Sequence, residues 1–410
     1  MNIFKRVIIN TGVQIIGRFF SFFLSFVSIY LLTRYLGVSG YGTYSLVFSY
    51  LSFFNILSDM GLSLIVVREL SKKTEVFSDD LNNFISIKLF LTILSIGLAI
   101  GILMFMPYSQ EAKLSIIIAS IGVGVGGIAS FGSSILQSRL RMDLVTIIDQ
   151  VTKLITVAFI YVFILTNQNL YTIVSTILIG NLFGLGLMVL FVKKVIVIKN
   201  FFTFKINKKI VKQGLLMGVL TLIAYSYFKV DTIILSLYRT SEELGIYSLA
   251  YKVIENITMF WGLYMASIYP IFSMYVDKDK NKYQRLLKKT MGIGLVFSLV
   301  CLIIGYSQVE FIIKLFGGNN FFNSIIPLRI LLFGIPLFIV NNIFYNAFLS
   351  KVKIIQVITC FSLSLIFNII INFIYIPKYG YIAASYTTVL TELVLFLLYL
   401  GFYKISYEKK

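Results

Sequence analysis

Three observations predict an all-α polytopic membrane protein of about twelve transmembrane helices, in two six-helix lobes related by a pseudo-twofold axis along the membrane normal. Hydrophobic residues make up 58% of the 410-residue chain and charged residues 13%, against roughly 25% charged in soluble domains. Apolar runs of about 20 residues, the length that crosses ~30 Å of hydrocarbon as a helix, recur from end to end. The stretch Gly42-Thr43-Tyr44-Ser45-Leu46 returns as Gly245-Ile246-Tyr247-Ser248-Leu249, 203 positions later, each time where an apolar run resumes after a polar gap.

The spans fall roughly at 7–33, 42–67, 84–106, 113–137, 144–165, 171–192, 213–237, 245–274, 290–307, 326–349, 354–376 and 381–403. Met1 to Arg6 is basic, and the apolar run after it lacks a small-residue cleavage site, so it reads as a retained first span rather than a signal peptide. An even span count puts both termini on one side. Gaps on that side hold 25 Lys and Arg residues and the opposite gaps 6, so the positive-inside rule places both termini in the cytoplasm. The inner loop Lys193 to Lys212 carries seven lysines and separates six spans from six. It divides the chain into lobes 1–192 and 213–410 around a basic linker, 193–212. Two readings of its lysines stand open: an orientation signal, or a segment holding anionic lipid headgroups.

A second echo supports duplication. Ser138-Arg139-Leu140-Arg141 follows the fourth span and Ser350-Lys351-Val352-Lys353 the tenth. Six spans per half is even, so the halves enter the membrane in the same orientation, as parallel repeats. Such repeats are a transporter habit, and the expected pathway runs between the lobes.

The net charge of +19 does not point to nucleic acid, because the basic residues cluster in the gaps between spans. With no histidine, a His-based metal site is excluded. Cys301 and Cys360 lie inside apolar runs and read as small core residues.

Ten ionisable residues fall within spans: Arg18, Asp59, Lys88, Asp149, Lys153, Lys229, Asp231, Lys252, Glu255 and Glu392. Charges in hydrocarbon are costly, so each is expected to line a cavity or to be paired. Asp149 and Lys153 are four apart and Lys252 and Glu255 three apart, so each pair shares a helix face and can neutralise itself. Lys229 and Asp231 point roughly 200° apart on their helix and need partners elsewhere. Lys88 lies near the inner end of its span and is expected to snorkel to the surface. Arg18 and Asp59 lie at depths, ~16 and ~12 Å, that allow a cross-helix contact. Glu392 has no evident partner and is a candidate proton carrier or a hydrogen-bonded structural acid. The glycine run Gly122 to Gly127 lacks the Lys-Ser/Thr of a phosphate loop and reads as close helix packing. Gly334-Ile335-Pro336 is expected to kink the tenth span, and Gly12 and Gly17 to loosen the first. The Gly-x-Tyr-Ser-Leu copies are expected to mark the outer entrance of each lobe's second helix, with glycine at a tight turn and tyrosine at the interface.

The run Arg34-Tyr35-Leu36-Gly37-Val38-Ser39-Gly40-Tyr41-Gly42-Thr43-Tyr44, with Val230-Asp231-Thr232 and Leu244-Gly245-Ile246-Tyr247-Ser248-Leu249-Ala250-Tyr251-Lys252, resembles the motifs of the polysaccharide transporter (O-antigen flippase-like) family. That family belongs to the multidrug/oligosaccharidyl-lipid/polysaccharide exporter superfamily, and the likeness covers the whole chain. It implies a flippase, not an enzyme, in the cytoplasmic membrane, turning an undecaprenyl-diphosphate-linked oligosaccharide to the outer leaflet by alternating access for O-antigen or capsule synthesis. It implies drive by a proton or sodium gradient and no other cofactor. Its implied partners are the lipid-linked oligosaccharide, anionic lipids and other polysaccharide-assembly membrane proteins. Arg18, Lys153, Lys229 and Lys252 are the candidates for the diphosphate and sugar. Asp59, Asp149, Asp231, Glu255 and Glu392 are the candidates for ion coupling. The ten intramembrane charges sum to zero, so a strongly cationic cavity is not legible. Two alternatives stand beside this reading: an ion-coupled multidrug antiporter of the same superfamily, which wants excess acid, and a membrane glycosyltransferase or polymerase, which wants outer-face carboxylates the short outer loops scarcely offer.

Overall fold

The computed structural model describes the backbone at residues 3–71, 78–195 and 208–408 and the side chains at 12–71, 81–194 and 218–404, apart from 220 and 277. The described residues are helical with no strand. In chain order the helices are α1 (Ile3–Asp59), α2 (Leu62–Ser71), α3 (Ser78–Met104), α4 (Gln110–Ser138), α5 (Met142–Leu165) and α6 (Leu170–Val195). There follow α7 (Lys208–Tyr238), α8 (Ser241–Lys278), α9 (Lys280–Ser307), α10 (Val309–Gly317), α11 (Ile325–Leu332), α12 (Ile335–Ser350) and α13 (Ile354–Glu408).

Among the described residues eight helices are long and apolar enough to cross a membrane, and two of these are double. α1 turns at Gly37 (φ 63°) and α13 at Gly380 (φ 57°), a left-handed conformation that glycine adopts without steric cost. Each therefore holds two of the expected spans. The tenth span is a bent pair, with 48° between Asn319–Leu332 and Ile335–Ser350. The bend falls at Gly334-Ile335-Pro336 as expected, with Pro336 in the first turn of α12. Helix α7 supplies the seventh span, and all twelve then have a helix. One detail differs from expectation. The second span is broken at Met60 (φ 41°) and Gly61 (φ 74°), so α2 is a separate short helix. The outer connection from Gln308 to Ile325 is ordered as α10 and a 3-10 turn, Asn319–Ser324. The lysine-rich linker falls largely outside the described residues.

Contacts group the chain into two compact units, Met1–Leu36 with Leu46–Tyr225, and Gly37–Ser45 with Ser226–Lys410. In the first, α4 packs on α2, α3, α5 and α6 around a core that includes Val66, Leu70, Phe84, Leu136 and Met188. The glycine run of α4 packs as expected. A methyl on Gly122 would lie 3.0 Å from the Leu178 nitrogen, and Asn181 Nδ2 donates to the Gly122 carbonyl at 2.9 Å. The loosening expected at Gly17 is corrected: a methyl there would meet Thr146 Cγ2 at 2.2 Å, so this glycine lets α1 and α5 close on each other. In the second unit α8 packs on α9, α11, α12 and α13. The short segment 37–45 joins this unit because Gly42 and Gly245 press backbone to backbone. A methyl on Gly42 would stand 1.8 Å from the Ser241 carbonyl oxygen, and one on Gly245 2.0 Å from that of Val38.

The two Ser-basic-apolar-basic turns close alike. Leu140 (φ 57°) and Val352 (φ 56°) are both left-handed. Arg141 N donates to Leu136 O and Lys353 N to Phe348 O, each at 3.0 Å.

Candidate functional site

The intramembrane charges of the first unit gather at two places. Where α1 meets α5, Gln150 Nε2 donates to Ser21 Oγ at 2.9 Å and Lys153 Nζ to the Ser21 carbonyl at 3.1 Å. Lys153 thus reaches across to the first helix from the face it shares with Asp149, and Asp149 and Arg18 are both exposed. The second place is the break after Asp59. Lys88 on α3 was expected to snorkel, and it does the opposite. It is 1% exposed, and its Nζ reaches the Ser58 carbonyl at 3.0 Å and Asp59 Oδ1 at 3.5 Å. The physical reason is the helix break, which frees a carbonyl that has no water to pair with in hydrocarbon. Asp59 also accepts from Ser63, so the Arg18–Asp59 contact that depth allowed is not formed among the described residues.

In the second unit α7, α8, α12 and α13 bring five of the candidates together. Glu255 on α8 accepts from Lys252 Nζ at 2.8 Å, its neighbour one turn back, and from Lys229 Nζ on α7. Two ammonium groups thus share one carboxylate and leave the cluster one positive charge. Its side chains stay 20%, 28% and 40% exposed at Lys229, Glu255 and Lys252, so a ligand can reach them. Asp231, two residues on from Lys229, faces the other way, as its helix position requires. It is buried, and it accepts from Tyr247 Oη on α8, Thr388 Oγ1 on α13 at 3.2 Å and the Thr232 amide at 2.7 Å. Glu392, which has no partner evident from sequence, is hydrogen-bonded: it accepts from Tyr227 Oη at 2.6 Å and Asn341 Nδ2 at 2.7 Å.

These contacts form a ladder. Tyr227 and Asp231 are four apart on α7, and Thr388 and Glu392 four apart on α13, so each pair shares a face. The rungs, Tyr227–Glu392 and Asp231–Thr388, cross in register. Asp231, Glu392, Asn368, Thr388 and Thr391 line a cavity of ≈ 10 Å³, about the room one water needs. The reading of Tyr247 as an interface residue is corrected: it is fully buried and holds the Asp231 carboxylate. Tyr227, Thr388 and Asn341 were not singled out from sequence. A four-residue spacing to each buried acid was the available signal for the first two, and nothing marked Asn341. Among the described residues no group of His, Cys, Asp or Glu is arranged to hold a metal.

Comparison with known proteins fits this arrangement of helices. The sequence model described as polysaccharide biosynthesis protein matches residues 7–276, and the MatE model matches 217–374. A "Capsular polysaccharide biosynthesis protein CapF" of Staphylococcus aureus is 30% identical over 167 residues, a match that spans 39% of this chain and 41% of that protein. A "Putative O-antigen transporter" of Shigella flexneri is 22% identical over 394 residues, 92% of this chain and 93% of that one. In fold, the lipid II flippase MurJ in an inward closed conformation superposes with a TM-score of 0.78 at 18% identity, over 95% of this chain and 87% of its own. An inward-facing multidrug resistance MATE family transporter gives 0.76 at 13% identity over 95% of both chains. The fold is that of these transporters, and with a family model covering well over half of its length the chain belongs to the polysaccharide biosynthesis protein family.

Proposed function

We propose that this protein carries a polyprenyl-diphosphate-linked oligosaccharide across the cytoplasmic membrane by alternating access, driven by a proton or sodium gradient, for surface polysaccharide assembly. The observation that carries the reading is the Lys229–Glu255–Lys252 cluster. It is a net cationic group, reachable yet set within apolar helices, and a diphosphate headgroup needs such a place while its polyprenyl tail stays in lipid. In water-poor surroundings an ammonium–phosphate contact is far stronger than in bulk. The diphosphate competes with Glu255 for the two ammonium groups, so binding and release need only exchange one anion for another. Lys153 and Arg18 are proposed to meet the sugar or headgroup elsewhere on the path, and Asp59 and Asp149 to assist in ion balance.

The Asp231–Glu392 ladder supports the ion-coupling part. Two carboxylates facing one small cavity suit the uptake of a proton or a sodium ion. The family supports a transporter rather than an enzyme, and the basic residues support cytoplasmic termini. The lobe division at 193–212, with its lysines on anionic lipid, belongs to the same proposal, as do contacts with other assembly proteins. The MatE match over 217–374 favours one second reading, an ion-coupled small-molecule antiporter, for which the same carboxylates would take a cationic drug.

Reconstitution separates the two. In liposomes with fluorescent polyprenyl-diphosphate sugar, an imposed ion gradient is expected to move the label from one leaflet to the other. Lys229→Ala with Lys252→Ala is expected to cut the rate at least tenfold. Dye antiport without lipid movement would overturn the flippase reading in favour of the second.

A further inference from the structure

The buried Lys88 ammonium is not used by the transport reading, and its surroundings are unusual for a lysine. A cavity of ≈ 10 Å³ that shares Ser58 with it is lined by Asn55, Ser58, Thr92, Ser95 and Ser120 on its polar side and by Leu51, Phe54, Ile96 and Val123 on its apolar side. Each of the four hydroxyls has already given its proton to a backbone carbonyl: Ser58 to Asn55, Thr92 to Lys88, Ser95 to Phe54 and Ser120 to Ile117. These hydroxyls keep only oxygen lone pairs to offer, and the Asn55 amide is the side-chain N–H donor in the cavity lining. Ser58 Oγ, Asn55 Oδ1 and Lys88 Nζ stand 3.4, 3.5 and 3.7 Å from a single point beside Gly127. Around the ammonium are the Ser58 carbonyl at 3.0 Å, Ser58 Oγ at 3.4 Å and Asp59 Oδ1 at 3.5 Å. An all-oxygen set with one carboxylate, at the carbonyl end of a broken helix, is the donor set of a hard cation.

We propose that this corner is a monovalent-cation site whose resident is the chain's own Lys88 side chain. The lysine supplies a fixed charge where a free ion would otherwise be needed to satisfy the broken second span. Asp59 is then the counter-charge that Lys88 meets in this conformation. The inference goes beyond the transport reading and does not depend on the cargo. A site of this kind should accept a free cation of similar size once the side chain is cut away. It should remain closed when the side chain is replaced by a neutral, unbranched one of nearly equal length.

The test uses full-length protein in detergent, with Lys88→Ala, Lys88→Met and wild type melted in choline, sodium or ethylammonium chloride at equal ionic strength. In choline, Lys88→Ala is expected to melt roughly 5 °C or more below wild type, because it strands a carboxylate and a carbonyl. Sodium or ethylammonium is expected to restore at least half of that loss by binding the folded state. Wild type and Lys88→Met, which keep the carboxylates of the second unit, are expected to respond equally little and so report any effect of cations there. A Lys88→Ala response no larger than that of Lys88→Met overturns the proposal. If Lys88→Ala cannot be purified folded in choline, the monodisperse fraction extracted in each salt replaces melting as the readout, and equal recovery in all three overturns it.

Discussion

Gly42 and Gly245, the first residues of the two Gly-x-Tyr-Ser-Leu copies, lie against each other with no room for a side chain between their backbones. The duplicated stretch therefore contacts itself. Both glycines are inside helices, so the tight turn expected of them belongs instead to Gly37 five residues earlier. Gly42→Ala or Gly245→Ala forces the two backbones apart. Each is expected to cost about 1–3 kcal/mol, typical of overpacking, read as a lower melting temperature in detergent. Gly12→Ala, with nothing within 4 Å of its added methyl, serves as the control and is expected not to lower the melting temperature, since alanine is the better helix former.

Tyr247 is the second functional part of the repeat. Its hydroxyl donates to Asp231, beside those of Thr388 at 3.2 Å and Thr232 at 3.4 Å. Tyr247→Phe keeps the ring and removes one donor from a buried carboxylate, at an expected cost of about 1–3 kcal/mol. Tyr247→Phe with Asp231→Leu is expected to cost less than the sum of the single changes, because each leaves the other partner stranded. A double-mutant cycle on melting or denaturant unfolding measures that coupling. Additivity within about 0.3 kcal/mol would remove Tyr247 as the partner that matters.

The strained turns offer a gain in stability. Val352 is a β-branched residue at φ 56°, and it is 78% exposed. A left-handed conformation costs an L-residue roughly 1–2 kcal/mol, and asparagine tolerates it best after glycine. Val352→Asn loses little packing at that exposure, so it is expected to stabilise by up to about 1 kcal/mol. Leu140→Asn in the matching turn is expected to gain less, since Leu140 is 41% exposed and keeps more contact. Thermal unfolding of both variants checks the order.

Asp279 caps α9, accepting the Lys282 amide at 2.9 Å. That hydrogen bond, with help from the Lys282 ammonium, holds its carboxyl below the ordinary carboxylate range. A depressed folded value means the capping contribution is present above the unfolded value and is lost as the pH falls through the folded one. Hydrogen exchange of the amides at 280–283 is expected to quicken, relative to intrinsic rates, once the pH drops below ~3.9, the unfolded value for aspartate. Asp279→Asn, which caps equally well without a charge, is expected to show no such step.

Much of the fold was legible because hydrocarbon imposes a simple rule on length and polarity. Apolar runs long enough to span, separated by basic gaps, gave twelve helices, and Gly334-Ile335-Pro336 marked one bend, while the corners at Gly37 and Gly380 were not singled out. The sites were less legible because their partners are distant in sequence. Spacing paired Lys252 with Glu255 correctly and required outside partners for Lys229 and Asp231, but it could not name them. Glu392 looked alone because Tyr227 is 165 positions away and Asn341 51. Lys88 was misread for a different reason. Depth along a helix predicts snorkelling only when the inner surface is the nearest polar partner, and the break at Met60–Gly61 put an unpaired carbonyl nearer.

The bend at Gly37 fixes more than a corner. Gly42 follows it five positions on, and each residue turns a helix by about 100°. One inserted or deleted residue between them would swing Gly42 well away from Gly245 and point an ordinary side chain at the contact. That stretch is thus keyed by angle as well as by composition. Length changes should be tolerated in the polar connections and rejected here, so an insertion scan should find a sharp gap over 38–41.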